Sequence, residues 1–325
     1  MPITSRLTQR LGIAHPVISA PMAFAAGGRL AAAVTGAGGL GLIGGGYGDA
    51  AWLDDQFRAA GNVSIGCGFI TWSMARQPHL LDLALAHRPA ALFLSFADPT
   101  PYVAKIKAAG VLAIQQVQTR RDAEIAIDAG CDIIVAQGAE AGGHGDKRST
   151  MTLVPEIADL ITRRAPQILL CAAGGIADGR GLAASLVLGA DGVVVGSRFW
   201  ASEEALVHPN LHRAAVAATG DDTVRQSVTD IARGYDWPER FNIRVVRNAY
   251  IDEWLGKEPA MRAAGEPERQ RYAAAGAAGD PAIAPAIAGE AAGLIHAIEP
   301  AAAILNRMVT EAEALLGGGW HKLDP

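Results

Sequence analysis

The sequence has no cluster of basic residues and little net charge, because 28 Lys and Arg stand against 33 Asp and Glu, for a formal charge of −5. Without a basic patch, neither a nucleic acid nor an anionic membrane surface is expected to attract the chain. Cysteine is also scarce, and Cys67, Cys131 and Cys171 are single and widely spaced. This argues against a disulfide framework or a CxxC metal site and is typical of reduced thiols in a cytosolic protein.

The sequence also lacks an uninterrupted apolar run of membrane-spanning length. Residues 30–48 carry no charge, but they are crowded with glycines, which mark turns and not a lipid-spanning helix. No apolar signal segment follows the polar N-terminal residues, so we expect no secretory signal. We therefore expect a soluble, cytoplasmic protein, monomeric or homodimeric.

Half of all residues in the whole chain are hydrophobic, and short apolar runs recur through its first two thirds. Continuous apolarity of this kind is typical of parallel strands that are covered on both faces, and segments of helical spacing separate the runs. The eight runs are residues 17–20, 40–43, 63–67, 91–96, 112–117, 133–136, 167–172 and 192–195. Because a run begins roughly every 21 to 34 residues, the length of a strand–helix unit, the pattern predicts an α/β fold, a (β/α)8 TIM barrel. An open doubly wound sheet is the alternative.

One glycine motif bears on that alternative. Residues 36–41 read GAGGLG and satisfy GxGxxG, but a dinucleotide-binding fingerprint needs a strand before it and a helix after it. Here a helical segment precedes the motif and an apolar run follows it. We therefore interpret these glycines as a helix end and a tight turn.

The character of the chain changes after the eighth run. Residues 205–218 have the spacing of the eighth barrel helix, which places the barrel at residues 1–218. The remainder, residues 219–325, is expected to form a helical C-terminal extension that packs on the barrel. Within it, residues 272–287 are rich in Ala, Gly and Pro and predict a loop, and residues 291–316 predict a pair of closing helices.

Active sites of barrels lie at the C-terminal ends of the strands, where this chain has unusual loops. Gly174 and Gly175 follow the seventh run, and Gly196 and Ser197 follow the eighth. Loops at these two places often bind phosphate, because glycine lets peptide N–H groups approach the oxygens. The alternative is that the glycines merely make turns before the next helix.

His144 is the histidine that lies in a glycine-rich loop at a strand end. Its imidazole titrates near neutrality, as a general base must, although a surface loop histidine is the alternative. Gln115, Gln116 and Gln137 are amides at strand ends that we expect to point at the barrel mouth. We expect no metal site, since Pro209 disturbs the helical spacing of His208 and His212.

These loops taken together resemble the nitronate monooxygenase family, whose members are FMN-dependent (β/α)8 enzymes. The matching stretches are PVISAPM, LAAAVTGAGGLGLIGGG, DIIVAQGAEAGGHG, AAGGIADGRG and GADGVVVGSRFWAS. They cover most of residues 10–205, whereas the C-terminal region matches only loosely, through RNAYIDEW.

The resemblance implies an enzyme that oxidises alkyl nitronates, and neutral nitroalkanes with them, using O2 to give carbonyl compounds and nitrite. It makes His144 the catalytic residue. It implies that Ala20, Pro21, Met22, Gly68, Gln116, Gln137, Gly142, Gly143, Gly174, Gly175, Gly196 and Ser197 bind FMN. One departure is Gly68, where many relatives have asparagine, so that a flavin contact is lost or supplied by another group such as Trp72 or a water.

Two other activities stay open at this point. An NAD(P)H-dependent flavin reductase of quinones or enoyl thioesters uses similar glycine loops. A flavin-free aldolase or isomerase of phosphorylated sugars would use the same phosphate site, but it usually needs a lysine or paired carboxylates at strand ends. Lys105, Lys107 and Lys147 do not lie there.

Overall fold

The computed structural model describes residues 2–319, and residues 320–325 of the expected C-terminal extension lie outside this part. The strands are β1 (Val17–Ser19), β2 (Leu42–Gly46), β3 (Gly66–Ile70), β4 (Ala91–Ser95), β5 (Leu112–Val117), β6 (Ile133–Gln137), β7 (Gly143–Gly145), β8 (Leu169–Ala173), β9 (Gly192–Val195), β10 (Thr223–Gln226) and β11 (Asn242–Val246). Helices alternate with the first nine strands except between β6 and β7, which follow each other directly, and helices dominate the rest of the described chain.

The α-helices are α1 (Arg6–Leu11), α2 (Gly28–Gly36), α3 (Ala50–Ala59), α4 (Thr71–Met74), α5 (His79–Ala86), α6 (Thr100–Ala108), α7 (Arg120–Asp128), α8 (Thr150–Arg164), α9 (Gly179–Val187), α10 (Ser197–Trp200), α11 (Pro209–Ala217), α12 (Val228–Arg233), α13 (Ala249–Trp254), α14 (Glu258–Ala278) and α15 (Ala301–Leu316). Two 3-10 helices span Gly220–Asp222 and Glu290–Leu294. None of these helices is long and apolar enough to cross a membrane.

Eight strands form the predicted parallel barrel, in the order β1-β9-β8-β6-β5-β4-β3-β2. A bridge between Ile18 and Leu40 joins β1 to the residues just before β2 and closes the ring. Side chains from alternate strand positions, such as Phe93 and Ile133, fill the interior, and Leu7 of α1 packs into the same cluster. The larger core lies between the strands and the surrounding helices. This two-layer packing confirms the (β/α)8 fold that the apolar runs predict.

The helix that completes the outer ring differs from the prediction. The sequence predicts the eighth helix at residues 205–218, but α15 packs between α9 and α2, the seventh and first helices of the ring. Its buried residues, Ile304, Leu305 and Met308 among them, belong to the core between strands and helices. The chain therefore leaves the barrel after β9 and returns to it with its last described helix. The boundary at residue 218 stays a prediction.

The structure corrects the predicted start of one strand and the predicted type of one C-terminal segment, both for reasons of local sequence. Strand β3 begins at Gly66, three residues after the predicted start, and Val63 is instead exposed. Residues 272–278 form the last turns of α14 and not a loop, because alanine has the strongest helix propensity of all residues. Both errors arise because apolar or Ala-rich composition marks an element without fixing its ends or its type.

The C-terminal part of the chain contains two strands that the sequence interpretation missed. β10 and β11 form an antiparallel pair, and β11 also pairs with β7. In that pairing Ile243 lies opposite His144. This small sheet attaches the extension directly to the loop after β6, at the C-terminal mouth of the barrel.

Candidate active site

The predicted site residues come together in one cavity at the C-terminal mouth of the barrel. The lining includes His144 and all twelve residues that the resemblance assigns to the flavin: Ala20, Pro21, Met22, Gly68, Gln116, Gln137, Gly142, Gly143, Gly174, Gly175, Gly196 and Ser197. They come from loops that are distant in sequence, so the barrel topology brings them together. Their individual roles remain predictions.

A glycine cradle forms one end of this cavity. Gly174 and Gly175 have φ values of 102° and 75°, in the left-handed region that favours glycine. No described residue accepts a hydrogen bond from the peptide N–H groups of Gly174, Gly175 or Ser197. At Gly196 an added Cβ would have Ala20 Cβ at 3.6 Å as its nearest neighbour, so a side chain there would occupy cavity space. Open backbone donors of this kind suit an anion such as a phosphate.

Residues 287–291 cover the same end of the cavity. The peptide N–H of Gly289 donates to Ser197 Oγ at 2.9 Å, which leaves the hydroxyl proton of Ser197 free to donate to a ligand. The N–H of Glu290 in turn donates to the carbonyl oxygen of Glu140 at 2.9 Å. Ile287 and Ala291 also line the cavity.

A row of amides lies along the strand ends on another side. Gln137 Oε1 accepts from Gln116 Nε2 at 3.1 Å and from Gln118 Nε2 at 2.9 Å, and Gln137 Nε2 donates to the carbonyl oxygen of His144 at 3.1 Å. These bonds fix Gln137 and leave Gln116 Oε1 without a partner among the described residues. It can accept a hydrogen bond from an N–H at the edge of a bound ring.

Two expectations for neighbouring side chains are wrong. Gln115 does not line the cavity and donates to the carbonyl oxygens of Ala97 and Gln116, because adjacent strand residues point to opposite faces. Trp72 also lies outside the lining and packs edge-on against Tyr47, so it does not replace the contact of the missing asparagine. At Gly68 an added Cβ would lie 2.4 Å from Pro21 Cβ. Pro21 therefore occupies the space that a side chain at this position would need.

His144 is held by a buried carboxylate that the sequence interpretation missed. Its Nε2 lies 2.9 Å from Asp230 Oδ1 and 3.0 Å from Oδ2, and Asp230 is buried in α12. Because a carboxylate only accepts, Nε2 carries the proton and Nδ1 keeps its lone pair. Nδ1 has no hydrogen-bond partner among the described residues. The geometry is that of a histidine oriented as a base by an acidic partner.

Electrostatics keep this imidazole neutral at pH 7. Burial lowers the pKa of His144 most strongly, the hydrogen bond and charge of Asp230 raise it, and the charges of Arg233 and Arg225 lower it. The net pKa lies below the ordinary value of 6.5. A neutral imidazole is the form that can accept a proton.

Aromatic rings surround His144. Trp237 stacks on the imidazole with ring centroids 3.4 Å apart, and Trp237 Nε1 donates to Tyr47 Oη at 3.0 Å. Tyr235 stacks on Tyr47 at 3.7 Å. Phe96, which lies edge-on to His144, has a φ of 62°, a strained conformation for a non-glycine residue of the kind that clusters at functional sites. These rings exclude water from one face of the base.

The residues present fit a flavin in several respects. The cradle can receive a phosphate, the amide row can receive the polar edge of a ring, and Met22 with Pro21 offers an apolar wall. Within residues 2–319, no group of three or more His, Cys, Asp or Glu could hold a metal ion. His208 and His212 are occupied otherwise, since His208 caps α11 and His212 Nε2 bonds the carbonyl oxygen of Trp200.

Comparison with known proteins agrees with this geometry. A sequence profile of the protein family described as "Nitronate monooxygenase" matches residues 4–66 and 70–311, and the short gap contains Gly68. A protein from Neurospora crassa named nitronate monooxygenase is 32% identical over 91% of this chain and 89% of its own length. The solved structure of FabK from Thermotoga maritima is 30% identical, has a TM-score of 0.83, and matches over 97% of this chain and 98% of its own.

A third relative differs in name. A Rhodococcus jostii protein named (3aS,4S,5R,7aS)-5-hydroxy-7a-methyl-1-oxo-octahydro-1H-indene-4-carboxyl-CoA dehydrogenase is 32% identical over 70% of this chain and 64% of its own length. A similar sequence core thus occurs in proteins whose names give different substrates.

Proposed function

The chain belongs to the nitronate monooxygenase family and is a flavin-dependent oxidoreductase, and from this premise we propose that it uses FMN to oxidise alkyl nitronates with O2 to carbonyl compounds and nitrite. Neutral nitroalkanes are substrates once a base has removed their α-proton. The observation that carries this proposal is the presence of a neutral, carboxylate-bound His144 in the same cavity as the glycine cradle.

The FMN phosphate is assigned to the N–H groups of Gly174, Gly175 and Ser197, next to Gly196. The flavin ring packs against Ala20, Pro21 and Met22, and Gly68, Gly142 and Gly143 lie close to it. Its polar edge faces Gln116 and Gln137. When bound, the flavin supplies the electron-transfer chemistry. The two glycine loops at this end of the cavity have peptide N–H groups without an acceptor among the described residues. One bound phosphate group that accepts from both loops is the simplest explanation for this arrangement.

The chain's own contribution to the chemistry is a proton transfer. His144 Nδ1 takes the α-proton of a neutral nitroalkane, and the electron pair of the broken C–H bond moves onto the nitro group to form the nitronate. Asp230 stabilises the imidazolium that results and keeps Nε2 protonated throughout. A substrate that arrives as a preformed nitronate does not need this step.

A second candidate is an NAD(P)H-dependent reductase of quinones or enoyl thioesters. The Rhodococcus jostii relative is named as a dehydrogenase of a CoA thioester, which favours the thioester substrate of this candidate. Anaerobic bleaching of the bound flavin by NADH without nitronate would support it. Family membership argues against the flavin-free sugar-phosphate aldolase or isomerase, since that alternative needs a barrel that holds no flavin.

The direct test is the absorption spectrum of the purified protein, followed by turnover. We expect the two visible bands of oxidised flavin, release of FMN on heating as identified by mass, and oxygen-dependent formation of nitrite from ethyl nitronate. A colourless protein that gains no flavin on incubation with FMN, or a flavoprotein that forms no nitrite, contradicts the proposal.

A glycine variant tests the cradle separately from turnover. Gly175→Ala places a Cβ on a cavity-lining residue and strains its φ of 75°, so we expect the FMN dissociation constant to rise roughly 10-fold, as for one lost charge-assisted hydrogen bond. Gly110→Ala is a matched control, because Gly110 has the same φ of 75° but lies in an exposed loop away from the cavity. Fluorescence titration of the apoprotein with FMN measures both. Equal affinity for FMN in the two variants would show that Gly175 does not bind the phosphate.

A further inference from the structure

Arg233 differs from the other interior arginines in having no carboxylate or carbonyl partner among the described residues. Arg198 pairs with Glu299, Arg244 pairs with Glu290, and Arg225 donates to backbone carbonyl oxygens. Arg233 instead packs against two aromatic rings, and Asp230 acts on it by charge without a hydrogen bond. Its guanidinium carbon lies 4.7 Å from the ring centroid of Tyr235 and 5.4 Å from that of Tyr47.

Arg233 lies on the same short helix as Asp230, the carboxylate that bonds His144. It is the last residue of α12, three residues after Asp230, so that the two side chains lie on one face of the helix. Asp230 is engaged by His144, and Arg233 lines the same cavity as His144 and Trp237. A cation among aromatic rings loses part of its hydration, and this cost is reduced when an anion binds to it.

Resting on the proposed function, we propose that Arg233 binds the two oxygens of the nitronate group through its guanidinium fork. Nitronate is a planar monoanion with two oxygens, and this is the shape that a guanidinium recognises in two parallel hydrogen bonds. When His144 removes the α-proton of a nitroalkane, the negative charge that develops on the nitro oxygens meets the fixed charge of Arg233. Arg233 would then contact the substrate and act as a catalytic residue.

The charges of the cavity favour a monoanion over a phosphate dianion at this place. Among the described lining residues, the charged side chains are Arg233 and Glu140, and His144 is neutral. Glu140 is engaged at the other end, where it accepts from the N–H and the hydroxyl of Thr150. Asp230, which bonds His144 and lies outside the lining, adds a negative charge near Arg233. Arg233 is therefore the positive side chain that faces the substrate region while the net charge around it is small, which suits an anion with a single negative charge.

Propionate tests this site without turnover, because its carboxylate has the shape and charge of a nitronate group. In the flavin-loaded protein, binding is followed by the change in flavin absorbance and by tryptophan fluorescence, to which Trp237 contributes. We expect propionate to bind and propionamide, its uncharged isostere, to bind at least 10-fold more weakly. Arg233→Gln should weaken propionate binding and raise KM for ethyl nitronate by roughly 10- to 100-fold, and Arg233→Lys, which keeps the charge but loses the fork, by less.

Arg76→Gln is the matched control, since Arg76 lies 5.1 Å from the ring centroid of Trp72 in the same aromatic region but outside the lining. It should leave propionate binding and KM unchanged. If Arg233→Gln lowers only the melting temperature while propionate affinity and KM stay at the control values, Arg233 is a structural cation–π residue and the inference is overturned. Propionate binding that needs Arg233 in a protein without nitronate turnover would instead keep the anion site and reject the proposed reaction.

Discussion

His144→Ala is expected to lower kcat/KM for a neutral nitroalkane by about 10²- to 10⁴-fold and to leave turnover of the corresponding preformed nitronate within a few-fold of the parent protein. The range is that of a lost general base. The nitronate has already given up its proton, so it needs only binding and electron transfer. Nitrite formation from 1-nitropropane and from its nitronate, measured with the same enzyme preparation, gives the ratio.

The chain offers a close control for this variant. His87 also bonds a carboxylate through Nε2, at 2.8 Å from Asp54, and it stacks on Phe57 at 4.3 Å between centroids. This second pair repeats the local arrangement outside the cavity. His87→Ala should leave both activities unchanged. Equal losses on nitroalkane and nitronate in His144→Ala would mean that His144 only binds or shapes the site.

The parts of this site that could be predicted from the sequence are those that one local segment encodes. A glycine pair at a strand end specifies its own turn and its own open backbone, so Gly174, Gly175 and Gly196 can be located from the amino-acid sequence alone. The eight apolar runs likewise predict the barrel, because a parallel strand that is buried on both faces has a compositional signature of its own.

The parts that could not be predicted depend on chain segments that meet only in the fold. Asp230 and Arg233 lie on a six-residue helix that is capped by Gly234 but carries no motif that points to the cavity, and Trp237 lies in the irregular connection that follows it. Their relation to His144 is created when β11 pairs with β7, a contact between residues about a hundred positions apart. The alternating apolar pattern of NIRVV in β11 was the available signal for that strand.

The position of α15 could not be predicted for the same reason. Its apolar face predicts a helix, but a helix of that kind can pack on any exposed apolar surface of the barrel. Only the gap that α9 and α2 leave in the ring decides that residues 301–316 occupy the eighth place and residues 205–218 do not.

Asp230→Asn is expected to reduce kcat/KM for a neutral nitroalkane by roughly 10- to 10³-fold and to move the acid limb of its pH profile to lower pH. Asparagine keeps the volume and one hydrogen-bond acceptor but removes the charge. Since the hydrogen bond and the charge of Asp230 raise the pKa of His144 against the lowering by burial, their loss lowers that pKa further. A weaker base accepts the proton less readily, while it stays unprotonated to a lower pH.

The direction of the shift separates this role from a structural one. Arg233→Gln should move the same limb to higher pH, because the charge of Arg233 lowers the pKa of His144, whereas Asp54→Asn, at the matched pair outside the cavity, should move it in neither direction. Profiles of kcat/KM with a nitroalkane whose own pKa lies well above the range give the three midpoints. A limb that stays in place in Asp230→Asn, or that moves up, would show that Asp230 does not control the basicity of His144. Opposite movements in the Asp230 and Arg233 variants would show that both charges act on the imidazole of His144. Their balance is what keeps a buried histidine neutral at pH 7 and still able to accept a proton.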